Sequence, residues 1–143
     1  MILYCDTSAL VKLYTDEEQA DAMRGLVIQA DMMATHVIAY IETRAAFARK
    51  LRMGEFDNTE FGRAKTAFEN DWSGLLIAGV QEDMIHRAGD FTEQFGLRGY
   101  DSVHLAAAEA IYSRVTGRVE FGLAVFDERL RKAASFIKMQ ILP

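Results

Sequence analysis

Short apolar runs in this sequence alternate with longer segments in which apolar residues recur every three or four positions. The short runs are typical of buried strands, and the longer segments are typical of amphipathic helices. Strands are predicted over residues 2–5, 32–35, 75–80, 121–126 and 137–142, the last at an edge. Strands that alternate with helices form a parallel sheet. We therefore predict an α/β fold, with a mostly parallel central sheet of about four to five strands flanked by helices.

Polar residues mark where several of these helices begin. Ser8 is a predicted N-cap for a brief helix, and Thr15 with Glu18 matches a capping box at the start of the next one. Asp57 and Glu60 give a second capping box. The predicted helices cover residues 8–13, 15–30, 36–53, 57–72, 81–95, 99–115 and 128–134.

Length and composition predict one globular domain over residues 1–143. The chain is 50% hydrophobic, and its length is that of about one domain. Its uncharged runs are far shorter than the roughly 18 residues of a membrane-spanning helix. The amino terminus has neither a basic leader nor a long apolar stretch, so we expect a cytoplasmic protein with no membrane partner. The single cysteine, Cys5, lies in an apolar run and is predicted to be a buried, inert thiol.

Four acidic residues do not stand where solvated surface charges usually do. Asp6 ends the first predicted strand, and Asp127 follows the fourth, so both are expected in the crevice beyond the carboxyl ends of a parallel sheet. Asp101 and Glu42 share helix faces with apolar residues. Each acid taken alone is explained by a helix cap, a first-turn charge or an ion pair, and only their combination favours a site.

Together the four acids predict a metal site. A buried carboxylate is unfavourable unless it is paired, and the sequence shows no evident cationic partner for each of them. A divalent cation would supply a partner of opposite charge for all four carboxylates. Hard oxygen ligands without a His or Cys cluster favour Mg²⁺ or Mn²⁺ over zinc, as one ion or two. The net charge of −5 argues against a broad cationic surface but leaves local contacts with nucleic acid open.

Four segments of the chain resemble PIN-domain ribonucleases, especially the VapC-type toxins of type II toxin–antitoxin pairs. The resemblance covers almost the whole chain in order and spacing. The segments are LYCDTSALVKLY from Leu3, IETRAA from Ile41, YDSVHLAAA from Tyr100 and FDERL from Phe126.

This resemblance implies a PIN-like single domain that acts as a metal-dependent endoribonuclease. Its acids correspond to Asp6, Glu42, Asp101 and Asp127, and Ser8 corresponds to an accessory polar group near the metal. The resemblance also implies an RNA substrate, a protein antitoxin and a homodimer. His104 follows Asp101 by three residues, and we expect it to be a hydrogen-bonded histidine beside the site, with a role as general acid as the alternative.

Other readings of these residues stay open. One is a PIN-fold binding module without catalysis. A second is a phosphatase with Asp6 as a covalent nucleophile, although Ser8 stands where that chemistry needs a second aspartate. A third is nuclease activity on DNA. It has weaker support, since no feature of the sequence indicates how ribose would be distinguished from deoxyribose.

Two further sets of residues are candidates for contacts with RNA or protein. The cations near the ends of two predicted helices are consistent with phosphate contacts or with ordinary helix-end charges. They are Arg49, Lys50, Arg52, Arg129, Arg131 and Lys132. An apolar stripe could form an exposed groove for an antitoxin, and it comprises Met23, Leu26, Val27 and Phe47.

Overall fold

The computed structural model describes residues 1–143 and contains five strands and seven helices. The strands are β1 Ile2–Cys5, β2 Met32–His36, β3 Leu76–Ala78, β4 Phe121–Ala124 and β5 Gln140–Leu142. The helices are α1 Thr7–Leu13, α2 Ala20–Gln29, α3 Ile38–Arg52, α4 Asn58–Trp72, α5 Glu82–Phe95, α6 Gly99–Val115 and α7 Glu128–Ser135. None of them combines the length and hydropathy needed to cross a lipid bilayer.

The strands form one sheet in the order β3-β2-β1-β4-β5, and every neighbouring pair is parallel. The predicted α/β class and parallel sheet are therefore confirmed. On one side of β1 the chain continues to β2 and β3, and on the other side to β4 and β5. The direction in which strands are added to the sheet thus reverses between β1 and β4. A reversal of this kind opens a crevice at the carboxyl ends of the two strands.

The central strand β1 is buried on both faces of the sheet. Leu3, Tyr4 and Cys5 have no exposed surface, and alternate residues enter different hydrophobic clusters. Tyr4 packs on the side of α5 and α6, whereas Leu3 and Cys5 pack on the side of α1 and α2. The prediction of a buried thiol is confirmed, and burial raises the pKa of Cys5 well above its usual value.

The predicted exposed groove is wrong. Met23 and Phe47 are both fully buried, and they belong to separate clusters. Met23 packs with the residues of β1 and α1, whereas Phe47 lies in an aromatic cluster with Phe56 and Phe68. The packing of α4 against α3 therefore buries Phe47, and the packing of α2 against α1 buries Met23.

Of the caps predicted for α4 and α1, the structure confirms the first and contradicts the second. The Asp57 and Glu60 capping box is confirmed, with the Glu60 N–H 2.7 Å from Asp57 Oδ1. Ser8 is not an N-cap but lies inside α1, and Asp6 caps that helix instead by accepting the Ala9 N–H at 2.9 Å. The cap therefore uses one of the four candidate site acids.

The capping box predicted at Thr15 and Glu18 is also wrong. Thr15 Oγ1 donates to Glu17 Oε1, and α2 begins only at Ala20. The guanidinium of Arg24, on α2, donates to the Thr15 carbonyl at 2.7 Å. This hydrogen bond holds the residues before α2 in a loop. The two edge strands, β3 and β5, are also shorter than their apolar runs, with three residues each.

Candidate active site

The six residues predicted for the site line one open cavity at the carboxyl ends of β1 and β4. They are Asp6, Ser8, Glu42, Asp101, His104 and Asp127. The cavity has a volume of about 580 Å³. The first residue comes from the end of β1, and the others come from α1, α3, α6 and the segment between β4 and α7. The expected convergence of the four acids on one cavity is therefore present in the structure.

Asp6 is the most deeply buried of the four acids, with 3% of its surface exposed. Its Oδ1 accepts hydrogen bonds from Ser8 Oγ at 2.7 Å and from the Ala9 N–H at 2.9 Å. Burial raises the pKa of Asp6 to about 6 and outweighs the attraction of His104 and these two hydrogen bonds. Asp6 takes part in none of the ion pairs of the structure, so its charge lacks a cationic partner.

Ser8 joins the two strand ends on which the cavity is built. Its hydroxyl donates to Asp6 and accepts the Phe126 N–H at 3.0 Å. Phe126 is the residue before Asp127. A single side chain thus fixes the turn after β1 against the segment that carries Asp127.

Glu42 is held by a polar network. Its Oε1 accepts from Thr7 Oγ1 at 2.7 Å and lies 2.8 Å from His104 Nε2. A carboxylate only accepts, so His104 donates through Nε2, and in the neutral ring Nδ1 can then accept from the Tyr4 hydroxyl at 3.0 Å. Burial raises the pKa of Glu42, but the hydrogen bonds from His104 and Thr7 outweigh burial and lower it below its usual value. Glu42 is therefore kept ionised.

Asp101 and Asp127 share one cationic partner, Arg98. Arg98 Nε lies 2.9 Å from Asp101 Oδ2, and Arg98 Nη2 lies 3.7 Å from Asp127 Oδ2. Asp127 also caps α7, because its Oδ1 accepts the Leu130 N–H at 2.9 Å. The expectation that the acids lack cationic partners is thus wrong for these two, and His104 is the hydrogen-bonded partner of Glu42.

Sequence reasoning missed three residues of this site, Arg98, Thr7 and Tyr4. Arg98 precedes Asp101 by three positions at the start of α6, and this spacing is a local signal that could have revealed the pair. Thr7 and Tyr4 have partners on α3 and α6, which no sequence spacing indicates.

Three more cations line the cavity, and they differ in how far they are neutralised. Lys12 and Lys50 lie near Glu17, and Lys50 also pairs with Glu55 at 3.2 Å. Arg49 has no carboxylate within ion-pair distance, and its Nε lies 3.4 Å from Met53 Sδ. Arg49 is therefore the lining cation that is free to bind an anion.

The other candidate cations lie elsewhere. Arg131 donates to the carbonyl oxygens of Val125 and Pro143, which is a structural role. Arg52, Arg129 and Lys132 do not line the cavity.

Comparison with known proteins identifies the fold family. The PIN domain matches residues 3–135. The chain belongs to the PIN domain family. Ribonuclease VapC45 and Ribonuclease VapC49, each from a Mycobacterium tuberculosis strain, are both 30% identical to this PIN domain over 142 residues, which are 99% of this chain and 95% of theirs. Its fold is similar to that in the crystal structure of VapBC2 from Rickettsia felis bound to a promoter DNA fragment, with a TM-score of 0.64, 13% identity, and coverage of 99% of this chain and 97% of that one.

The side chains of this PIN domain suit a hard divalent cation. Asp6, Glu42, Asp101 and Asp127 offer only oxygen donors, the ligands that Mg²⁺ and Mn²⁺ prefer. The buried charge of Asp6 lacks a cationic partner, and the Arg98 guanidinium lies where Asp101 and Asp127 attract a cation. No three acidic, His or Cys side chains are arranged closely enough to share an ion. A cation that bound Asp101 and Asp127 would have to compete with Arg98, which pairs with both of them.

Proposed function

We propose that this PIN domain is a metal-dependent endoribonuclease that hydrolyses phosphodiester bonds of RNA and is the toxin of a toxin–antitoxin pair. The observation that carries the proposal is a cavity lined by the buried carboxylate of Asp6 and by three further carboxylates. The relationship to proteins named Ribonuclease VapC supports RNA as the substrate.

Asp6 and Asp101 are the proposed main ligands of one or two Mg²⁺ or Mn²⁺ ions, and Glu42 and Asp127 complete the set or orient the attacking water. When bound, such an ion neutralises the phosphate and lowers the pKa of water. The contribution of the protein is to hold its own groups in place. Ser8 fixes Asp6, and the α7 cap fixes Asp127, so neither carboxylate has to be ordered when substrate arrives.

Two other residues act on the substrate and on the proton. Glu42 stays ionised because of His104 and Thr7, and an ionised carboxylate can accept a proton from water or orient it. Arg49 lines the same cavity without a carboxylate partner and is the proposed contact for an RNA phosphate.

The proposed partners are a protein antitoxin and a second copy of the chain. The similar structure from Rickettsia felis is described as VapBC2, which supports an antitoxin partner. The homodimer remains a prediction from the family resemblance.

The first test is the dependence of RNA cleavage on a divalent ion. Purified wild-type protein, incubated with a labelled single-stranded RNA, is expected to cut it with Mg²⁺ or Mn²⁺, to stop in excess EDTA and to resume when the ion is restored. Denaturing gels measure the products. Cleavage that continues in EDTA, or a Zn²⁺ requirement, would contradict the metal assignment.

Arg98 favours the alternative function of an inactive binding module, because it pairs with two of the four acids. The removal of Arg98 separates the two proposals. Under the nuclease proposal, Arg98→Ala is expected to lower the Mn²⁺ concentration at the midpoint of the thermal shift by roughly two- to fivefold, since a mostly exposed ion pair contributes little. Arg87→Ala is the matched control, because Arg87 pairs with Glu109 away from the cavity. If Mn²⁺ does not change the melting temperature of either variant, the result would favour the binding module without catalysis.

A further inference from the structure

A second surface depression lies beside the cavity, and no acidic residue lines it. It is formed by the end of α5 and one face of α7, and we call it the α7 groove. Its lining includes Phe95, Arg129, Lys132 and Phe136. The chain has a net charge of −5, whereas this groove is lined by two cations and no carboxylate. The groove is therefore a locally positive surface on an acidic protein.

The groove presents an aromatic ring that is supported by a second ring. Phe136 is 66% exposed, although it stacks on Phe95 with centroids 5.7 Å apart and an angle of 26° between the rings. Exposed Phe136 is therefore fixed by its contact with Phe95. A supported aromatic ring that is open to solvent is the feature on which nucleobases stack in proteins that bind single-stranded nucleic acids.

Two cations stand on the same helix face as this ring. Arg129, Lys132 and Phe136 follow one another at intervals of three and four residues, so they form one stripe along α7. Neither cation takes part in an ion pair. Both are therefore available to an anion from outside the chain.

The α7 groove adjoins the candidate active site along two segments of the chain. Gly96 lines the groove two residues before Arg98, and Arg129 lines it two residues after Asp127. Along α7, Phe136 lies roughly 13 Å from Asp127 at 1.5 Å per residue. A strand whose phosphate is bound in the cavity would reach the groove with its neighbouring nucleotides.

We propose that the α7 groove binds a nucleotide of single-stranded RNA that flanks the phosphate held in the cavity. Its base stacks on Phe136, and its phosphate is bound by Arg129 and Lys132. This inference rests on the proposed function, because it assumes that RNA occupies the cavity. Only three apolar residues line the groove, Phe95, Ala133 and Phe136, whereas a protein interface requires a wider apolar centre.

Fluorescence anisotropy of a fluorescein-labelled oligouridylate in EDTA tests this site, with the RNA checked for integrity on a gel. Phe136→Ala is expected to weaken binding roughly tenfold, whereas Phe136→Trp keeps it, because stacking needs an aromatic face. Arg129→Gln and Lys132→Gln are each expected to reduce the salt dependence of log K by about 0.7. Arg114→Gln is the matched control, since this exposed cation lies at the far end of α6 and outside the groove.

Three results overturn parts of the scheme in different ways. If the wild type cleaves RNA but Phe136→Ala binds oligouridylate as tightly as the wild type, the α7 groove is not a nucleotide site and the proposed function stands. If Phe136→Ala instead changes the sedimentation of the protein and leaves RNA affinity unchanged, the groove is a contact between copies of the chain. If the wild type neither binds nor cleaves RNA, the proposed function itself fails.

Discussion

Replacing Asp6 by Asn is expected to stabilise the metal-free protein and to abolish RNA cleavage. The folded protein buries the Asp6 carboxylate without a cationic partner, and burial raises its pKa from 3.8 to about 6. That shift corresponds to roughly 3 kcal/mol of lost stability at neutral pH. Asn keeps an oxygen that can cap α1 but carries no charge. The melting temperature in EDTA should therefore rise by several degrees, since about 1 kcal/mol corresponds to roughly 2–4 °C at this chain length.

The same variant is expected to lose the response to metal. Mn²⁺ should raise the melting temperature of the wild type, because an ion that binds only the folded state stabilises it, and Asp6→Asn should lose most of this shift. Cleavage should fall by roughly a thousandfold, which is about 4 kcal/mol of transition-state stabilisation. Asp21→Asn is the matched control, since Asp21 is an exposed acid paired with Arg24. A variant that melts below the wild type in EDTA would show that the Asp6 charge is not a burden on the fold.

The stability difference between wild type and Asp6→Asn should also depend on pH. Below pH 3.8 the carboxyl is protonated in both the folded and the unfolded wild type, so the buried charge is absent and the two proteins should differ little. Between pH 3.8 and pH 6 the unfolded wild type ionises Asp6 while the folded protein keeps it protonated, so the free energy of unfolding of the wild type falls across this range and levels off above pH 6. Urea unfolding in EDTA between pH 4 and pH 7 measures this. A difference that stays constant over the range would contradict the raised pKa.

The strands and most helices were predictable because their signals are local. The run at residues 2–5 is apolar throughout, as a parallel strand buried on both faces must be, and β1 occupies the same residues. The edge strands were predicted too long, because an apolar run does not show how many of its residues find a neighbouring strand. The start of α2 was missed for a related reason: Arg24 binds the Thr15 carbonyl, and this contact overrides a valid local capping pattern.

The candidate site divides in the same way. Its acids could be found because Asp6 ends a strand and Asp101 shares a helix face with apolar residues. The groups that hold the acids could not, because they come from distant parts of the sequence. Tyr4 and His104 are separated by 100 positions, and Tyr4 has the pattern of an ordinary core residue. Only the folded chain shows that a central strand contributes a hydroxyl to the site.

Replacing His104 is expected to change both stability and cleavage rate. Two replacements of similar shape, Asn and Gln, each keep a different one of its two hydrogen bonds. His104 is 2% exposed and joins Glu42 through Nε2 to Tyr4 through Nδ1. The amide of Asn reaches about as far as Nδ1, and the amide of Gln about as far as Nε2. His104→Gln is therefore expected to keep the donor to Glu42, whereas His104→Asn keeps only the contact with the Tyr4 hydroxyl. Each lost buried hydrogen bond should reduce stability by about 1–3 kcal/mol.

The cleavage rates of these variants should separate because only one contact reaches a candidate site acid. His104→Asn is expected to lower the rate roughly ten- to hundredfold, since groups that orient a ligand have effects of that size, while His104→Gln retains most of it. Tyr4→Phe should lose stability with a smaller effect on rate, because His104 and Thr7 both still donate to Glu42. Melting curves and initial rates of cleavage measure both. If all three variants lose rate only in proportion to stability, His104 supports the core and does not position Glu42.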